Sequence, residues 1–289
     1  MPAPARRTIV LAFALGVALA WLYWDVLSSL VAQWSSDDNY SHGFFVVPLA
    51  LYFAWERRTA LRDAPVRPSP AGLFLVAGSL LLLVAGLLGA ELFLTRVSLV
   101  GVVAGSVLFV WGWAHFRQLA FPIAFLLLMI PLPAIVFNQL AFPLQLVASR
   151  AGETAIAAAG IPVLREGNLL HLPGRTLEVA EACSGIRSLV SLLMLAIVLG
   201  YFTERRVGRR VLLALAAVPI AILANATRVA GTGLASHWIS PAAADGFFHT
   251  FSGWLMFIVA LAGLLLLQRV MDAARGWRLR PRRTALEAG

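Results

Sequence analysis

The stretches AGLFLVAGSLLLLVAGLLGA (residues 71–90) and, after Glu91, LFLTRVSLVGVVAGSVLFVWGW (92–113) decide what kind of protein this is. Each is an almost unbroken row of hydrocarbon side chains about 20 residues long, the length that crosses a bilayer core. The rest of the 289-residue chain follows suit, with 60% hydrophobic residues, 13% charged residues and a mean hydropathy of +0.84. A soluble domain stays nearer roughly 45–50% apolar, so the composition excludes one.

Working outward from that pair, further spans fall at 8–27, 42–55 (short), 119–137, 183–202, 211–235 and 248–270. The reading is an all-α polytopic membrane protein of about eight transmembrane helices, taken as one integral membrane domain over 1–289. The 119–137 segment carries Pro122, Pro131 and Pro133, and each proline removes a helix hydrogen bond, so a kink or break is expected near its outer end. The first 27 residues have a signal-peptide outline, but the apolar run is long, and Trp21, Tyr23 and Trp24 read as an interfacial belt around a retained span.

The basic residues set the orientation. All 23 are arginine, giving a net charge of +9. With the N-terminus inside, 17 of them fall on the cytoplasmic side: Arg6, Arg7, Arg57, Arg58, Arg62, Arg67, Arg117, Arg205, Arg206, Arg209, Arg210 and the six from Arg269 to Arg283. That is the bias expected of short cytoplasmic loops. The charge therefore signals topology, with anionic-lipid contact at the cytoplasmic face and a basic cytoplasmic tail at 271–289, and it points away from nucleic acid.

Residues 138–182 then form a long extracytoplasmic segment. Its first part, 138–159, has helical apolar spacing broken by Gln139, Gln145, Arg150 and Glu153, which suits a helix lying along the interface. The second, 161–179, has two β-favouring runs and turn signals at Gly167-Asn168 and Pro173-Gly174, so a small hairpin is expected before the sixth span.

That hairpin leads to the sole cysteine, Cys183, in EACSGIRS (181–188). A lone membrane cysteine is commonly only a small buried hydrophobe. Here Ser184, Gly185, Arg187 and Ser188 make a polar helix start, where the helix dipole and a cation one turn away favour thiolate. Arg228, in NATRV (225–229), is costly in hydrocarbon unless it faces a cavity or a partner. It lies about 25 Å into the seventh span at 1.5 Å per residue, close to the expected outer face, where His249 opens the last span in HTFSGW (249–254). Sulfur, guanidinium and imidazole thus share one expected depth.

Each has a plainer role to weigh. Arg228 could pair with an acid or with loop carbonyls, and His249 could be an ordinary interface histidine. Arg187 could bind a substrate carboxylate or neutralise Glu178 or Glu181. His115 falls on the wrong side, while His42 and His171 remain open competitors for the acid–base role. The polar run 35–43 caps the second span and could also touch substrate. No phosphate loop, dinucleotide fingerprint or His-Cys metal spacing occurs, so no metal or organic cofactor is called for.

Taken together, EACSGIRSL, NATRV and HTFSGW, with Tyr-Ser-His-Gly (40–43), the Pro-Leu-Pro and Pro-Leu-Gln segments (131–145) and Gly-Ile-Pro-Val-Leu-Arg-Glu-Gly-Asn (160–168), resemble the exosortases over about 34–267. The resemblance implies a multipass cysteine transpeptidase of the bacterial inner membrane, both termini cytoplasmic and the site facing the periplasm. Its substrates would be exported proteins with a C-terminal sorting tail: a Pro-Glu-Pro-type motif, a transmembrane helix and a basic cluster. Carried over by position, Cys183 is the nucleophile, Arg228 the oxyanion stabiliser and His249 the general acid/base. Ser184, Arg187 and Asn225 are the expected substrate contacts. Exopolysaccharide machinery is an implied partner. Two rivals use the same residues differently: a transporter with Arg96, Arg187 and Arg228 along an anion path, and an envelope polysaccharide acyltransferase with His249 as base. Neither needs the thiol.

Overall fold

The computed structural model describes residues 14–179, 185–238 and 246–278, with side chains except at 175, 236, 246–250 and 275–278. The chain divides into two compact units, Met1–Val136 and Phe137–Gly289.

In the first unit, helices α1 (Ala14–Leu22) and α2 (Trp24–Ser36) meet at Tyr23 with a bend of 64°. The expected span over 8–27 is bent within its described part. Tyr23 is fully buried, and its hydroxyl lies 3.1 Å from Ser98 Oγ. It is not the belt residue that its neighbours suggested, whereas Trp21 and Trp24 are exposed. Helix α3 (Gly43–Glu56) follows, then α4 (Arg58–Asp63), α5 (Pro70–Leu88), α6 (Leu92–Val110) and α7 (Trp113–Phe125), which runs into a 3₁₀ turn, η1 (Leu126–Met129). Small residues let α5 and α6 approach closely in antiparallel fashion: Gly72 meets Gly105 and Phe109, Ser79 meets Gly101, and Gly86 meets Thr95. Close backbone contact of this kind is how helices associate when the surrounding lipid is as apolar as they are. Glu91 caps α6 by accepting a hydrogen bond from Phe93 N at 3.0 Å.

The end of η1 leaves carbonyls without helical donors. Trp34 Nε1 donates to Met129 O at 2.9 Å, and His42 Nε2 lies 3.1 Å from Leu128 O. The open competitor His42 thus has a structural duty. Gly43 packs on the Trp34 indole so closely that a side chain there would displace it.

In the second unit, nearly all of helix α8 (Ala134–Ala158) is followed by strands β1 (Leu164–Glu166), β2 (Leu169–Leu172) and β3 (Arg175–Glu178), then α9 (Ile186–Thr203), α10 (Val207–Trp238) and α11 (Gly246–Arg278). The expected fifth-span boundary near 137 shifts: the chain leaves helix at 130–133, beside Pro131 and Pro133, and α8 is already continuous from Ala134. The segment expected as a hairpin is an antiparallel meander in the order β1-β2-β3. Its two reversals fall on Gly167-Asn168 and Pro173-Gly174, where Gly167 (φ 63) and Gly174 (φ 78) take left-handed backbone. Leu170 and Leu172 on β2 join Ala148 and Ile156 of α8 and Val229 of α10 in one apolar core. A second core ties the last three helices through Leu192, Ala196, Leu213, Ala217, Ala221, Ala260 and Leu264.

At the α9–α10 turn, Arg210 Nε donates to Glu204 O at 2.7 Å and Nη2 to Tyr201 O at 3.3 Å, while Arg209 Nη1 lies 3.6 Å from the buried Glu204 carboxylate. Two of the four arginines read as topology markers here also close the C-terminus of α9.

Where the sequence gives eight spans, five described helices are long and apolar enough to cross a membrane, or up to seven if each bent pair is one span. The segment that falls short is α3, which at 14 residues measures about 21 Å against a hydrocarbon core of about 30 Å.

Candidate active site

Helix α10 organises the candidate residues. Asn225 and Arg228 are three residues apart, so they share one face of that helix, and both are buried, Arg228 with 9% of its surface exposed. Burial of a guanidinium so far into an apolar helix requires polar company. Part of that company is Ser252 of α11, whose Oγ accepts from Arg228 Nε at 3.3 Å. The next residue, Gly253, supplies the space: a Cβ there would lie 3.1 Å from Arg228 Cζ and 3.2 Å from Nη2. The guanidinium therefore rests directly against the α11 backbone.

One turn earlier on α10, Asn225 receives the start of α9. Gly185, the residue before α9, has φ 77, and a Cβ on it would fall 2.7 Å from Asn225 Cγ. Two independent features thus demand glycine, a left-handed backbone and contact with a buried amide. Gly185→Val is expected to cost about 2–5 kcal/mol, from strain of about 1–2 kcal/mol and overpacking of about 1–3 kcal/mol. Thermal unfolding of purified protein reads this as a lowered Tm, and an unchanged Tm would contradict the contact.

Of the candidate residues, Arg228 and Asn225 are brought together in the interior. Arg187 is exposed on the first turn of α9. Cys183 and Ser184 lie outside the described residues. His249 is on α11, one turn before Ser252, and its side chain is among those not described. What the geometry adds is the company of the two motifs. Gly185, two residues after Cys183, touches Asn225, and Ser252-Gly253, three and four residues after His249, touch Arg228.

Gly185, Ser252 and Gly253 were not singled out as functional by the sequence, although both motifs carry a Ser-Gly pair. The competing histidine His171 sits on β2 with Nδ1 2.9 Å from Thr176 Oγ1 and Nε2 3.4 Å from Glu166 Oε2. A cross-strand hydroxyl therefore engages Nδ1, while Nε2 makes no hydrogen bond among the described residues. Among the described residues no group of His, Cys, Asp and Glu could hold a metal ion.

The residue pattern of transmembrane exosortases matches this chain over residues 34–266, a stretch that includes all three motifs and runs through both units. The chain belongs to the transmembrane exosortase family. Among curated proteins and among solved structures, no match was found. As an exosortase it is a multi-pass membrane protein and, in general terms, a membrane sorting transpeptidase. Family membership displaces the transporter and acyltransferase readings.

Proposed function

We propose that this exosortase is a cysteine transpeptidase that cleaves the C-terminal sorting tail of exported proteins through a thioester on Cys183. The observation that carries the reading is the double contact on one turn of α10: the residue following the cysteine motif's Cys-Ser lies on Asn225, and the Ser-Gly of the histidine motif lies on Arg228.

In this mechanism the Cys183 thiolate attacks a peptide carbonyl of the sorting motif, and its electron pair forms the C–S bond while the carbonyl π pair moves to oxygen. Arg228, fixed by Ser252 and the Gly253 backbone, stabilises the resulting oxyanion in a site of low dielectric. As the tetrahedral centre collapses, the C–N bond breaks, and His249 gives a proton to the departing amine. The thioester is then attacked by an acceptor amine or hydroxyl, or by water, with His249 taking that nucleophile's proton and Cys183 leaving as thiolate. Asn225 and Ser184 contact the substrate in this reading, and Arg187, at the exposed first turn of α9, meets it further out.

The arginine distribution supports a site that opens to the periplasm, with both termini in the cytoplasm of a Gram-negative inner membrane and anionic lipids on the basic cytoplasmic loops. The resemblance adds a Pro-Glu-Pro-type tail as the substrate and exopolysaccharide production and biofilm formation as the setting.

Co-expression with an exported protein carrying such a tail tests the proposal. The chain is expected to convert the precursor to a form that has lost its C-terminal helix, with no conversion in membranes lacking the chain. A precursor that stays full length across tails bearing and lacking the motif would overturn it.

A further inference from the structure

The second unit holds a groove of about 680 Å³ that the proposed chemistry does not use, lined by Pro143, Leu146, Val147, Arg150, Ala151 and Arg165. Five of these fall at the spacing i, i+3, i+4, i+7, i+8, a single stripe along α8 about 12 Å long at 1.5 Å per residue. Arg165 of β1 forms part of the wall.

The stripe is polarised along its length. It begins with Pro143, Leu146 and Val147 and ends at Arg150, beside which stands Arg165. Arg165 is held in place: Nε donates to Glu153 Oε2 at 2.8 Å and Nη1 to Gly167 O at 3.1 Å. Glu153 offsets one of the two arginines. Arg150 is exposed, and among the described residues its side chain makes no hydrogen bond or ion pair. Among the described residues, the polar end of the groove therefore carries one uncompensated positive charge. At the other end the apolar stripe continues onto Leu140, which is exposed, as is the neighbouring Phe142. Apolar surface of this kind, running from an arginine-rich end, belongs against hydrocarbon.

From this we infer that the α8 groove is a binding site for one anionic phospholipid, its phosphate on Arg150 and Arg165 and an acyl chain along Val147, Pro143 and Leu140. The occupant follows from the surface. A planar guanidinium suits a phosphate, and a hydrocarbon chain asks for no hydrogen bonds. An extended peptide would need backbone partners, and the N–H groups of α8 are used within the helix. The strand on the other side, β1, is only three residues long, too short for an extended ladder. The inference stands apart from the sorting chemistry.

Photocrosslinking of the full chain tests it. Val147 is replaced by the photoreactive amino acid benzoylphenylalanine, and the purified protein is reconstituted in phosphatidylcholine vesicles with a minority of phosphatidylglycerol. It is irradiated, and the adducts are identified by mass. The expected adduct is phosphatidylglycerol, enriched over its share of the bilayer, unaffected by added inorganic phosphate, and reduced about tenfold by Arg150→Gln, in line with loss of a charge-assisted phosphate contact. Because Arg150 is exposed, that change leaves the fold intact, and an unchanged Tm checks this. The same reduction is expected whether or not the chain processes tails, so Cys183→Ala should leave the adduct unaltered. Adducts that merely follow bulk lipid composition in both proteins would overturn the inference. So would a co-reconstituted tail-bearing protein that takes over the crosslink, which would assign the groove to peptide.

Discussion

Cys183→Ala is expected to leave no detectable tail processing in a co-expression assay while the protein still accumulates in the membrane. The sulfur is the nucleophile that forms the covalent intermediate in the proposed mechanism, and removing a nucleophile from a coupled catalytic unit costs on the order of 10⁶ in rate. Gly185 should still seat against Asn225, because that contact depends on the glycine backbone and the amide. The variant should therefore retain the Tm of the wild type. Retained processing would remove the thioester from the account and return the family's sorting activity to some other group. Cys183→Ser is a useful companion, since a hydroxyl is a far weaker nucleophile without a strong base and should be nearly as inactive.

Arg228→Ala is expected to slow processing by about 10²–10³-fold, the range seen when an oxyanion donor is removed. The stability effect should be small by comparison and could take either sign, because deleting a buried cation also deletes its desolvation cost. Arg228→Lys separates charge from geometry. The guanidinium is planar, reaches Ser252 Oγ through Nε and rests against Gly253. An ammonium keeps the charge but cannot reproduce that side-on contact. Lysine should therefore recover only a minor part of the lost rate, measured as the initial rate of tail loss at equal enzyme levels. Full recovery would mean that Arg228 contributes charge alone, and a rate unaffected by alanine would remove it from the mechanism.

Much of this architecture was legible because its physics is local. A run such as 71–90 has no solution outside a membrane, and α5 (Pro70–Leu88) follows it closely. The reversals at Gly167-Asn168 and Pro173-Gly174 were readable from turn chemistry, although two turns between 161 and 179 make three strands and not the two expected. What escaped the sequence were consequences of long-range contact. Tyr23 looks like an interfacial aromatic until Ser98, far along the chain, takes its hydroxyl. Arg209 and Arg210 look like topology charges until the carbonyl end of α9 and Glu204 draw them in. His42 stays a plausible catalyst until Leu128 O engages it.

The candidate site divides in the same way. Arg228 was readable because an arginine in hydrocarbon calls for a purpose. Gly253 was not, because a glycine in a helix gives no sign of which neighbour needs its missing side chain. The contact with Arg228 supplies that sign. Gly185 is intermediate: its place between a polar segment and a helix hints at a turn, and its φ of 77 and contact with Asn225 explain why no other residue serves.

The proposed mechanism requires the Cys183 sulfur and the side chain at 249 to reach the same peptide bond beside Arg228. Cys183 is the sole cysteine, so in His249→Cys the new thiol has a single intramolecular partner. Treating this purified variant with a short bis-methanethiosulfonate, which joins each thiol through a disulfide, and weighing the intact monomer reports whether the two sulfurs lie within the reagent's span. The account predicts one reagent molecule bridging both sulfurs, with no free thiol left and release on reduction. Two separately attached reagent molecules, or crosslinks only between different copies of the chain, would contradict it.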